Sequence, residues 1–122
     1  MPRKLLVAVI DDDDPFRTAL AEMLGSFGHR VTDFASAEEF ITANGEGQYD
    51  CIITDIHMPG MSGIDLKRLL TARDSKVPVI MITARAEPEL EARVAASGAV
   101  CLLRKPFESE ALIDCLERAA DV

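Results

Sequence analysis

The sequence predicts a three-layer α/β domain of the doubly wound kind, with five parallel strands alternating with five helices. Three observations predict it. Five short apolar runs recur along the chain: Leu5–Ile10, Val31–Phe34, Cys51–Thr54, Val79–Ile82 and Val100–Leu103. The first, third and fourth are almost continuously apolar and rich in Val and Ile, the pattern of strands buried on both faces of a parallel sheet. Each run is followed by a stretch of helical period, and strand–helix alternation with short loops implies right-handed crossovers with helices on both faces.

The elements follow in order. After the first run, Phe16, Ala19, Leu20, Met23, Leu24 and Phe27 keep the three-and-four spacing of one helix face. Asp14 before Pro15 reads as an N-cap followed by Pro at the first helical position. Ser36 with Glu39 reads as a capping box for a second helix carrying Phe40 and Ile41. Ile64, Leu66, Leu69 and Leu70 mark a third helix. Leu90 and Val94, among alanines, mark a fourth with a thinner stripe, and thin apolar burial implies low local stability. Phe107, Ala111, Leu112, Cys115, Leu116 and Ala119 mark a fifth.

The chain of 122 residues bounds one domain, residues 1–122, with no composition shift, linker or repeat. The last helix extends to the end of this sequence, which leaves no stretch for an output domain. A hydrophobic fraction of 48% with few aromatics requires a core of Val, Ile, Leu, Ala and Met. The net charge of −8 repels phosphate backbones and argues against direct nucleic-acid binding. Cys51, Cys101 and Cys115 are odd in number and form no CxxC, so neither a disulfide framework nor a zinc site is indicated. Each lies in an apolar run and reads as a reduced thiol, which suits a cytoplasmic protein. Met1-Pro2-Arg3-Lys4 precedes only six apolar residues, too few for a signal peptide or a membrane span.

In such a sheet, ligands bind beyond the carboxyl ends of the strands. Asp11 and Asp12 follow the first strand, Asp55 ends the third, Thr83 and Ala84 end the fourth, and Arg104, Lys105 and Pro106 end the fifth. Carboxylates crowded on one rim repel, so one stays protonated or a cation joins them, and a hard oxygen-seeking ion such as Mg²⁺ is the simplest answer. Asp13 and Asp14 read instead as a solvated turn with a helix cap. A carboxylate can also act as nucleophile towards phosphorus. Phosphoryl transfer needs alignment and neutralised oxygens, which a metal, a Lys and a hydroxyl supply. The turn Met58-Pro59-Gly60 exposes Asp55 for that purpose.

With these residues in place, the sequence resembles bacterial two-component response-regulator receiver domains over essentially its whole length. The resemblance rests on Val9-Ile10-Asp11-Asp12, on Thr54-Asp55-Ile56-His57-Met58-Pro59-Gly60-Met61-Ser62-Gly63, on Ile82-Thr83-Ala84 and on Lys105-Pro106-Phe107, in order on strands one, three, four and five. It implies a flavodoxin-like sheet of order 2-1-3-4-5, as the general rule for this architecture also states. It implies that Asp55 is the phosphoacceptor and that Asp12, Asp55 and the backbone carbonyl of His57 ligate Mg²⁺, with Mn²⁺ as a substitute. Asp11 would act through metal-bound water, Lys105 would pair with the phosphoryl group, and Thr83 would hydrogen-bond it. The Lys105–Pro106 peptide would be cis. Leu102 stands where relatives carry an aromatic switch residue, a departure that touches the output signal rather than the chemistry. His57 and Arg85 occupy positions that tune phosphate lifetime in relatives, and an imidazole–metal bond from His57 is disfavoured for a hard ion.

The function implied is a phosphorylation-dependent signalling switch, not an enzyme in the usual sense. Its donor would be a histidine kinase or a histidine phosphotransfer protein. Its output would be protein–protein contact through the face of helix 4, strand 5 and helix 5, or service as a phosphate sink. It would act as a monomer or a phosphorylation-dependent dimer, without membrane contact. The alternatives are the isolated input domain of a longer DNA-binding regulator and a Mg²⁺-dependent phosphohydrolase. A flavodoxin-shaped binding module is a further class, opposed by the missing Gly/Ser/Thr-rich loop after strand one.

Overall fold

The computed structural model describes residues 4–43 and 46–121. The reading of Met1-Pro2-Arg3 as the start of no leader lies outside the described residues. The element order is β1 (Leu6–Ile10), α1 (Asp14–Ser26), β2 (Arg30–Phe34), α2 (Ala37–Thr42), a short 3₁₀ turn (Glu46–Gln48), β3 (Cys51–Asp55), α3 (Gly63–Ala72), β4 (Val79–Thr83), α4 (Pro88–Ser97), β5 (Cys101–Arg104) and α5 (Ser109–Ala120). The strands form one parallel sheet in the order β2-β1-β3-β4-β5. The three continuously apolar runs are its three central strands, and the two weaker runs are its edges.

Alternation along the strands splits the core into two layers. Val7, Val9, Ile53, Ile80, Ile82 and Leu103 meet Leu20 and Leu24 of α1 and Leu112 and Leu116 of α5. Ala8, Ile10, Ile52 and Met81 meet Phe40 of α2, Leu66 and Leu70 of α3, and Leu90 and Val94 of α4. At roughly 25 cal/mol per Å² of apolar surface removed from water, these two layers are the main force holding the fold. Chain order reverses between β1 and β3, so the carboxyl ends of those strands open a crevice, where ligands bind in such sheets.

Two expectations need correction. The N-cap of α1 is Asp13, whose carboxylate accepts the Phe16 N–H, and Pro15 falls at the second helical position rather than the first. The cap slips by one because proline lacks a donor wherever it sits in the first turn, so either register satisfies the helix start. Nor are the cysteines three separate thiols. Cys51 is buried and free, but Cys101 of β5 and Cys115 of α5 are joined as a disulfide, with Cα atoms 5.9 Å apart. The helix that follows β5 folds back over the same layer of core, which brings together two residues 14 apart in sequence. Among the described residues, no helix is long and apolar enough to cross a membrane.

Candidate functional site

The hydrogen-bonding demands of short, buried strand ends build this site. β1 ends at Ile10, and Asp11 follows almost wholly buried, at 1% exposure. Its Oδ1 accepts the Asp13 N–H at 3.0 Å, so the turn into α1 fixes one side of the carboxylate. Arg17, one turn into α1, donates to the Asp11 carbonyl at 2.7 Å and to Asp33 of β2 at 2.9 Å. β3 ends at Asp55, in register with Ile82 of β4. Gly63 opens α3 directly against it: a Cβ there would lie 2.5 Å from the Asp55 carbonyl oxygen, so only glycine lets the helix approach this closely. Ser62 and Asp65 close a full capping box at that helix start.

Asp11, Asp12 and Asp55 bring one carboxylate oxygen each to within 4.8 Å of one another. Burial pushes the Asp55 carboxyl up to about 6, the charge of Asp11 adds to the rise, and Lys105 opposes it. Three oxygen donors with this mutual repulsion make an acidic triad suited to a hard divalent cation.

Lys105 reaches the triad from the end of β5. Its Nζ donates to Asp11 Oδ2 at 3.0 Å and lies 3.7 Å from Asp55 Oδ2, so its closer partner is Asp11. The ammonium also stands 4.0 Å from the centroid of the Phe16 ring, and Phe107 meets that ring edge-on at 6.1 Å. The Lys105–Pro106 peptide is cis. Thr83 closes β4 with 1% exposure, and its hydroxyl oxygen accepts the Arg85 N–H at 3.0 Å.

His57 lines a cavity of about 400 Å³ with Met58, Pro59, Ser62, Arg85 and Arg93. Its Nδ1 is buried and has no hydrogen-bond partner among the described residues. Leu102 packs with the α3 and α4 layer, with β4 lying between its strand and that of Asp55. Sequence reasoning missed the Arg17 brace and the aromatic seat of Lys105. Phe16 is legible in the sequence as part of the first helix's apolar face, but nothing local to residues 16–17 signals partners at 33 and 105.

The comparisons agree with this geometry. Residues 7–117 match the family model described as the response regulator receiver domain. The transcriptional regulatory protein FixJ of Azorhizobium caulinodans is 42% identical over 113 residues, covering 93% of this chain and 54% of that protein. The chain thus spans about half the length of that curated relative. A crystal structure of FixJ-N superposes with a TM-score of 0.89 at 34% identity, covering 99% of this chain and 96% of that one. The BeF3-activated DrrB receiver domain superposes with a TM-score of 0.85 at 26% identity, covering 98% of this chain and 100% of that one. With its strand order, its acidic crevice and these likenesses in agreement, the chain belongs to the response regulator receiver domain family.

Proposed function

We propose that this domain is a phosphorylation-dependent switch that accepts a phosphoryl group on Asp55 from a histidine kinase or a histidine phosphotransfer protein. The observation that carries the reading is the convergence of Asp11, Asp12, Asp55 and Lys105, drawn from β1, β3 and β5, in one crevice. Asp11, Asp12 and Asp55 would hold Mg²⁺, with Mn²⁺ as a substitute and the His57 backbone carbonyl as a further oxygen donor. When bound there, the ion would supply positive charge to neutralise the phosphoryl oxygens.

The protein's own groups do the rest. A carboxylate oxygen of Asp55 attacks phosphorus in line, a bond to phosphorus forms, and the bond to the donor's imidazole nitrogen breaks. Lys105 shifts from Asp11 towards the new phosphoryl oxygens, guided by the Phe16 ring. Thr83 turns its hydroxyl from the Arg85 N–H to donate to the phosphoryl group, drawing the loop after β4 with it. The added charge of about −1.5 to −2 is the signal, and the α4–β5–α5 face carries it to a partner protein. Leu102 lies on that face and repacks there without the polar handle an aromatic hydroxyl would bring.

The half-length coverage of FixJ favours a second reading of the output: this domain as the input module of a longer, DNA-binding regulator. A longer reading frame at the locus would separate the two.

The test is incubation with a small phosphodonor and Mg²⁺, read on a phosphate-affinity gel. The parent should show one stoichiometric, self-clearing mobility shift, and Asp55→Asn should show none. An equal shift in both proteins would remove Asp55 from its role. Repeated turnover of the donor would point to a hydrolase instead.

A further inference from the structure

We infer that Cys101 and Cys115 form a reversible thiol–disulfide exchange site, entered through Cys101, whose bond ties β5 to α5. The two sulfurs differ in setting. Cys101 lines a surface cavity of about 560 Å³ between α4 and the last helix, together with Leu102, Arg104 and Arg118. Arg118 directs Nη1 to Cys101 Sγ at 3.5 Å. Cys115 shares the apolar layer with Cys101, among Leu112, Leu116 and Ala119, but does not line that cavity. Both sulfurs belong to buried residues, but only Cys101 lines the cavity and stands beside a cation, with Cys115 within bonding reach of it, the arrangement of an attacking and a resolving thiol.

Cys51 makes the contrast within the same chain. It is wholly buried, and burial, with the nearby charge of Asp50, pushes its thiol up to about 12. It has no second sulfur to meet among the described residues. Local setting, rather than cysteine content, therefore assigns exchange to Cys101.

The cavity also selects the exchange partner. Arg104 and Arg118 line it with Glu91, which pairs with Arg104 at 3.6 Å, so the cation beside the sulfur is Arg118 and the cavity favours an anionic low-molecular-weight disulfide of the glutathione class. The Cys101 thiolate attacks one sulfur of that disulfide and releases one small thiol, leaving a mixed disulfide on Cys101. Cys115, losing its proton to solvent, attacks Cys101 Sγ and expels the second small thiol. Two protein thiols are oxidised to one disulfide and the small disulfide is reduced to two thiols, so electrons and protons balance. Reduction runs the same steps backwards, with an external thiolate attacking Cys101 and Cys115 leaving.

The consequence is mechanical. The bond fastens β5, the strand that carries Leu102 and leads to Lys105, to the helix covering it. This chemistry does not depend on Asp55 labelling, so it and the proposed function stand or fall separately.

The test uses the whole chain, first reduced, then exposed to oxidised glutathione, denatured and alkylated for mass spectrometry. The parent should end with an intramolecular Cys101–Cys115 bond and a single alkylated thiol, that of Cys51. Cys115→Ser should stop at one glutathione adduct on Cys101, and Cys115→Ala serves the same purpose if a buried hydroxyl impairs folding. Cys101→Ser should gain no adduct at Cys115. Adding Arg118→Gln to the Cys115 variant should slow adduct formation about tenfold. Three alkylated thiols in the oxidised parent, an adduct on Cys115 before Cys101, bonds only between chains, or an unchanged rate with Arg118→Gln would each overturn the inference.

Discussion

Helices α3 and α4 have the same length, lie side by side on one face of the sheet, and are held very differently. Each has ten residues. α3 buries Gly63, Ile64, Leu66 and Leu70 and starts with a complete capping box. α4 buries only Leu90 and Val94, and its N-cap, Glu87, makes no side-chain cap bond among the described residues. α3 follows the strand that ends in Asp55, and α4 follows the strand that ends in Thr83. The carboxylate thus stands on a fixed mount while the hydroxyl opens onto a loosely held one. On the proposed function, charge added to the crevice would move the second while the first holds still.

This comparison can be broken most directly at Gly63. Gly63→Ala should push α3 off the Asp55 carbonyl, cost about 1–3 kcal/mol of stability and slow labelling of Asp55, measured by chemical denaturation and the phosphate-affinity gel. A silent Gly63→Ala would mean that the mount is not rigid. Next in size, native-state amide exchange should find α4 opening about tenfold more often than α3, or about 1.4 kcal/mol less protected. Equal protection would erase the distinction.

Cap substitutions should then act with opposite sign on the two helices. Ser62→Ala should cost about 1 kcal/mol by removing the α3 cap, whereas Glu87→Ser should stabilise α4 by about 0.5 kcal/mol and slow its opening. Urea unfolding midpoints would check both. The smallest effect concerns acid. Hydrogen bonds from the Ser62 N–H and hydroxyl region hold the Asp65 carboxyl below its ordinary value of 3.8. A depressed carboxyl stabilises the fold above that ordinary value and loses the contribution as pH falls through its folded value. Asp65→Asn should therefore flatten the stability curve slightly below about pH 4, read by thermal melts across that range.

The sheet was legible in the sequence because burial on both faces writes itself as unbroken Val and Ile runs, and the three such runs are β1, β3 and β4. The positions of Asp11, Asp12, Asp55, Thr83 and Lys105 at strand ends followed from the same pattern. The thin stripe of α4 was legible too, as Leu90 and Val94 alone. What remained hidden depends on register between distant elements. The Cys101–Cys115 pairing needs the angle at which α5 crosses β5, which no local spacing encodes. The Ser62–Asp65 box was overlooked beside the louder signal of Ile64 and Leu66, although its Ser-x-x-acid spacing was there to read. Nothing near Lys105 announced that its ammonium would rest on Asp11 and over Phe16.

That resting place gives the crevice an internal counterion. A lysine 94 positions along the chain already shares Asp11 through a bond of 3.0 Å. A divalent ion entering the triad would therefore compete with a tethered monovalent one instead of meeting a bare acid. On the proposed function, the ion concentration needed for phosphorylation would be set partly by how firmly an aromatic ring keeps that lysine in its seat.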